Sequence, residues 1–164
     1  MDLRNRARYA SVSLAIALLV TGSTIAAPAK LAPGDAFTPL EADSVTGTHV
    51  SLPDDRHGAP FVAIFAFSQK AGDAAEQWSH ALYHALPHDV AMYAVADLSR
   101  VPGLFRGLAI SGIRHDASPG IPEHRDHVLL LTRANVWSQI VPSGSDDDAV
   151  IVAVDKTGTV TDIE

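Results

Sequence analysis

The chain of 164 residues contains no cysteine. Thiol–disulfide exchange and thiol peroxidation need a thiolate as nucleophile, so neither reaction is open to it. Disulfide staples and a lipid-modified cysteine are excluded on the same ground. Basic residues are few as well: 12 Lys and Arg stand against 19 Asp and Glu, a formal net charge of −7. Such a balance disfavours nucleic acid and anionic membrane as partners. No apolar run reaches the roughly 20 residues a spanning helix needs. Internal repeats, low-complexity tracts and interdomain linkers are also missing from the sequence.

What is present begins with a compartment signal. Arg4, Arg6 and Arg8 make a basic start, Val12 to Val20 is apolar except for Ser13, and Thr24, Ala26, Ala27 and Ala29 are small. This three-part layout predicts a secretory signal peptide over residues 1–29, cleaved after Ala26 or Ala29. The expected location is periplasmic or secreted, with no stable membrane insertion after removal. Nine basic and eighteen acidic residues would remain, a net charge of −9. Residues 30–164 are enough for one domain with its own core.

Strands and helices alternate along that domain. Phe37 to Leu40 and His49 to Leu52, joined through Asp43, Ser44 and Gly47, read as an N-terminal hairpin. Phe61 to Phe67 is almost wholly apolar, as a strand buried on both faces should be. The spacing predicts a helix from Ala71 to Leu86, ended by Pro87, and then a buried strand from Val90 to Val95. Ser99 is positioned to cap a helix reaching Ile110, with Val101, Leu104, Phe105 and Leu108 on its inner side. A strand at Val128 to Leu131, a short helix at Ala134 to Ile140, and a closing hairpin of Ala149 to Val154 with Thr159 to Ile163 complete the pattern. The fold class expected is an α/β sandwich with a mixed sheet and flanking helices.

Three segments carry a resemblance: Pro33 to Phe37, Gly47 to Leu52 with Gly58 to Val62, and Val152 to Val160. Together they resemble the opening segment and late hairpin of peroxiredoxin-type and periplasmic thioredoxin-like proteins, over nearly all of residues 30–164. The resemblance implies a thioredoxin-like sandwich with its final helix absent, since the sequence ends at Glu164. It also implies where redox parts would sit. The reactive cysteine would follow the first central strand, where this chain has Ser68, Gln69, Lys70 and Asp73. The substrate-touching cis-proline would precede the late hairpin, where Ser145 to Ala149 stands. A narrower resemblance, in Phe65 to Ser68, Gln77-Trp78 and Val101 to Gly107, is to the thioredoxin-like assembly factor of mitochondrial ATP synthase. It implies a non-redox member that binds other proteins.

Histidine is the residue left with chemistry to offer. At 100° per residue Ala75, Trp78, Leu82, Ala85 and Leu86 share one side of the first helix, which makes Trp78 a core residue. Asp73, Gln77, His80 and His84 lie opposite. His80 and His84, one turn apart, could reach one metal ion, with His57 or Asp73 as a third ligand; the alternative is a solvated polar face. Continuation of that face to His88 is interrupted by Pro87. His124-Arg125-Asp126 matches a kinase tripeptide without the glycine-rich loop or DFG that would give it meaning. His124 with His127 offers a weaker metal pair. Asp146 to Asp148 lacks the alternation of a calcium loop, and Ser143 and Ser145 form no nucleophile elbow. Ser68 with Lys70 could form a hydrolytic pair only with an oxyanion element that the sequence does not name.

The expectation is an exported, cysteine-free binding or assembly-assisting protein rather than an enzyme, requiring no cofactor, with a protein partner at Ser68 to Asp73. Metal or small-ligand binding by the His80–His84 face is the alternative, and an enzyme of unassigned non-thiol chemistry the third class.

Overall fold

The computed structural model describes residues 28–87, 89–116, 127–142, 145 and 147–164. Residues 1–27 of the predicted signal segment, His88, His124 to Asp126, Ser143 and Asp146 lie outside the described residues.

Seven strands form one mixed sheet in the order β2-β1-β5-β4-β3-β6-β7. At its centre β3 (Phe61–Ala66) pairs in parallel with β4 (Ala91–Asp97) and antiparallel with β6 (Val150–Val154). All six β3 residues are buried, which is why its sequence is an unbroken apolar run. Strand β5 (Val128–Leu131) lies parallel to β4 and carries the hairpin of β1 (Leu40–Ser44) and β2 (His49–Leu52) on its other edge. Strand β7 (Val160–Ile163) closes the opposite edge. The turn into it has Gly158 at φ 79°, a backbone that L side chains resist, with Pro53 packed 3.6 Å from where a Cβ would stand. The first strand starts at Leu40, not Phe37, because Phe37 donates its N–H to Gly158 and buries its ring instead of pairing with β2.

Alternate residues of β3 feed two layers. Phe61, Ala63 and Phe65 face a large core closed by Leu31, Phe37 and the short helix α3 (Trp137–Ile140). Its centre is aromatic: Phe65 stacks on Trp137 at 4.9 Å, and Phe37 meets Phe61 edge-on at 5.1 Å. Val62, Ile64 and Ala66 face α1 (Gln69–Ala85), which presses Ala71 and Ala75 onto the sheet. The second long helix, α2 (Gly103–Asp116), covers Ala96, Val128 and Leu130 on that same side.

Three expectations about these helices are corrected. Trp78 is 41% exposed, because small Ala71 and Ala75 bring the helix close to the sheet and leave Trp78 on the flank. In α2 the inner residues are Ala109, Ile110 and Ile113, while Leu104, Phe105 and Leu108 point outward. The sequence holds two apolar stripes at helical spacing; Val101 does pack inward as expected, but it precedes the helix and so does not fix its phase. Nor does Ser99 cap it: Ser99 N–H bonds Asp97 Oδ1 at 2.8 Å, and the carbonyl of Pro102 accepts the opening hydrogen bonds from Phe105 and Arg106.

Candidate functional site

Parallel strands β3, β4 and β5 end together, and α1 and α2 both start at that end. Ser68 leaves β3 in an extended conformation (φ −143°, ψ 170°) and becomes the N-cap of α1, its Oγ accepting the Ala71 N–H at 3.1 Å. The helix therefore begins at Gln69, two residues before the position its apolar spacing predicts. Gln69, Lys70 and Asp73 are all exposed on the first turns. Lys70 Nζ donates to Asp147 Oδ2 at 3.1 Å, an exposed ion pair across 77 positions of sequence. Next to it Ser145 Oγ donates to Asp148 Oδ2 at 2.8 Å and accepts the Asp147 N–H at 3.2 Å.

The structure thus brings together the two segments that the resemblance marks as redox positions, and fills both with polar side chains. Ser68 and Lys70 do not act on each other, since each has another partner. The hydroxyl caps a helix and the ammonium meets a carboxylate. A cis peptide occurs at Leu52–Pro53, at the end of β2, away from this site.

Sequence reasoning missed Asp97, the last residue of β4. It is buried, with Oδ1 accepting from Ser99 N–H and from Asn135 Nδ2 at 3.3 Å. Its carboxylate ties the loop before α2 to the loop before α3, while Oδ2 is buried without a hydrogen-bond partner among the described residues. An aspartate ending an apolar strand was the available signal.

The histidine face is exposed as expected. His80 Nε2 lies 4.0 Å from Glu76 Oε1, one turn back, and the His84 ring meets Tyr83 edge-on at 5.2 Å. Among the described residues no three His, Asp or Glu side chains gather as a metal site. His57 sits at φ 47° after a short 3₁₀ turn over Asp54–Arg56, while the His127 ring packs 4.7 Å from Tyr93.

A stronger histidine cluster lies on the edge hairpin. His49 Nδ1 is 3.0 Å from Asp43 Oδ1 and its Nε2 is 2.7 Å from Glu41 Oε2, while Ser51 Oγ donates to Glu41 Oε1. Two carboxylates can both be served only when both ring nitrogens carry protons. The bond to Asp43 first, then that to Glu41, hold the imidazole above its ordinary pKa of 6.5. Glu41 is in turn lowered, by His49 and then by Ser51. At the far end of the sheet a cleft of about 220 Å³ runs between Pro53, Arg56 and Gly58 and the β6–β7 turn at Asp155 to Gly158. Thr157 Oγ1 and the Thr159 N–H donate to Asp155 and lower its pKa.

No protein-family model and no curated protein matches the sequence. Among solved structures the chain is similar to the thioredoxin domain of a thiol-disulfide oxidoreductase from Bacteroides vulgatus, at 17% identity and a TM-score of 0.55, over 82% of this chain and 89% of that one. A thiol peroxidase from Chromobacterium violaceum matches at 13% identity and a TM-score of 0.52, over 82% and 76%. An exposed lipoprotein thioredoxin from Streptococcus pneumoniae matches at 13% and 0.50, over 77% and 88%. Among the described residues no helix is long and apolar enough to cross a membrane. At these identities the likeness shows the fold alone: the chain is a thioredoxin-like α/β sandwich that carries no cysteine.

Proposed function

We infer that this is an exported protein without thiol redox activity that binds or assists another protein through the surface of Ser68, Gln69, Lys70 and Asp73. One observation carries the reading. The end of the sheet where the fold's redox residues would stand presents an exposed polar platform, with Ser68 spent on capping and Lys70 tied to Asp147. A platform without a nucleophile can still recognise a macromolecule, because a fold keeps its surface when it loses its reaction. Export is supported by the three-part segment at residues 1–29.

The test is a photo-crosslinking amino acid placed at Gln69 in the producing cell, with the same probe at Thr157 on the opposite end of the sheet. A discrete adduct at Gln69 that is absent at Thr157 and abolished by Lys70→Glu is the expected result. Equal labelling at both ends, or no adduct at either, overturns the reading. The purified protein should also leave insulin disulfides and peroxide untouched in the presence of dithiol.

A further inference from the structure

The first two turns of α2 present the most exposed large apolar residues among those described. Leu104 is 87% exposed, Leu108 78% and Phe105 59%. Leu104 and Leu108, four apart, form a ridge along the helix. The neighbouring row, Gly103, Gly107 and Ser111, is exposed too, and a Cβ placed on Gly103 or Gly107 would meet nothing within 4 Å. A ridge of leucines beside a row of small residues is the relief into which the ridge of a second helix fits. Nothing among the described residues uses it. Glycine is a poor helix former, and among the described residues no close approach requires Gly103 or Gly107.

Charge selects the occupant. Between Asp97 and Asp116 the sequence has not one carboxylate, in a chain whose net charge is −7; Arg106 turns inward to the Val101 carbonyl, while Arg100, Arg114 and His115 stay exposed, Arg114 also donating Nε to the Val45 carbonyl. A second copy would bring the same basic segment against this one, on a body that repels it. An anionic membrane would face the net negative charge and has no need of the small-residue row.

We propose that the outer face of α2, with Leu104, Phe105 and Leu108 as its anchors, is a docking surface for an amphipathic helix of a partner protein that flanks its apolar stripe with carboxylates. The surface is separate from Gln69 and Lys70, although both helices begin at the same end of the sheet.

Two labelled helical peptides of about four turns test it. Both carry leucine at alternating three- and four-residue spacing; one has glutamate on its flanks and the other lysine. The protein without residues 1–29 should bind the glutamate peptide, with backbone NMR shifts centred on Gly103 to Gly112, and bind the lysine peptide about ten-fold more weakly at low salt. Leu104→Ser with Leu108→Ser should weaken binding about ten-fold or more while leaving the melting temperature nearly unchanged. Lys70→Glu should leave peptide binding intact, which separates failure here from failure of the Gln69 platform. No binding, or equal binding of the two peptides, overturns the proposal. So does a concentration-dependent dimer, or uptake by phosphatidylglycerol vesicles, that the double variant abolishes.

Discussion

The two faces of the sheet are built to different standards. On one, twenty buried residues among those described form a single core with Phe37, Phe61, Phe65 and Trp137 at its centre. On the other, eight of the described residues are buried in two clusters, one under each long helix, and both helices leave large apolar side chains outside. Dense aromatic packing fixes a fold, because volume lost there cannot be refilled. Exposed leucine on a glycine-containing helix does nothing for stability, and surface of that kind marks interaction. Both proposed recognition surfaces lie on the helical side, and the aromatic side holds it in place.

That division is open to direct attack. Phe65→Ala empties the stack on Trp137 and should cost about 3–5 kcal/mol in denaturant unfolding, whereas Leu108→Ala should stay within about 0.5 kcal/mol. A loss above about 2 kcal/mol for Leu108→Ala would mean that α2 is packed on its outer side as well. The next effect is smaller and has the opposite sign. Gly107→Ala meets no atom within 4 Å, so it should stabilise the protein by up to about 1 kcal/mol while narrowing the small-residue row and weakening a docked helix. Stability without loss of peptide binding would show that Gly107 is merely tolerated.

Much of the aromatic side was legible in the sequence and much of the helical side was not. The unbroken run at Phe61 to Phe67 and the turn at Asp155 to Gly158 are local signals, and both elements fall where they predict. The phase of α2 is not a local property. Leu104, Phe105 and Leu108 compete with Ala109, Ile110 and Ile113 at the same spacing, and only the sheet beneath decides which stripe turns inward. The position of Ser68 could be read from element order, but the reach of Lys70 to Asp147 depends on β6 running antiparallel beside β3. The hairpin of Glu41, Asp43 and His49 was likewise visible as a hairpin, whereas the pairing of Asp43 with His49 that makes the cluster is a matter of register.

That hairpin gives a pH test at the edge shared by both faces. His49 has a raised folded-state pKa, so its contribution is complete below its ordinary 6.5 and is lost as pH rises through the raised value. Glu41 has a lowered one, so its contribution is present above its ordinary 4.5 and is lost as pH falls through the lowered value. The difference in melting temperature between the protein and His49→Gln should be greatest at about pH 5 to 6 and vanish in alkali. An imidazole that titrates by NMR at or below 6.5 would show that the two carboxylate bonds do not persist in solution.

The smallest effect is expected on the outer face of α1, and it decides whether the helical side carries a metal centre besides the platform at Gln69 and Lys70 and the ridge of α2. His80 and His84 are exposed one turn apart, with Glu76 4.0 Å from His80, so two imidazoles and one carboxylate share a stretch of helix without converging. Two ligands fall short of a tetrahedral set. If they only cover a solvated face, His80→Ala with His84→Ala should change stability by no more than about 0.5 kcal/mol and leave metal content as it was. If they hold a metal, added zinc or copper should raise the melting temperature of the parent protein, since a ligand that binds only the native state stabilises it by RT ln(1 + [L]/Kd), and the double replacement should remove that rise. The first outcome leaves the platform at Gln69 and Lys70 and the ridge of α2 as the features that set the helical side apart. The second would place a metal centre on α1 and turn the comparison of the two faces into one between a core and a cofactor site.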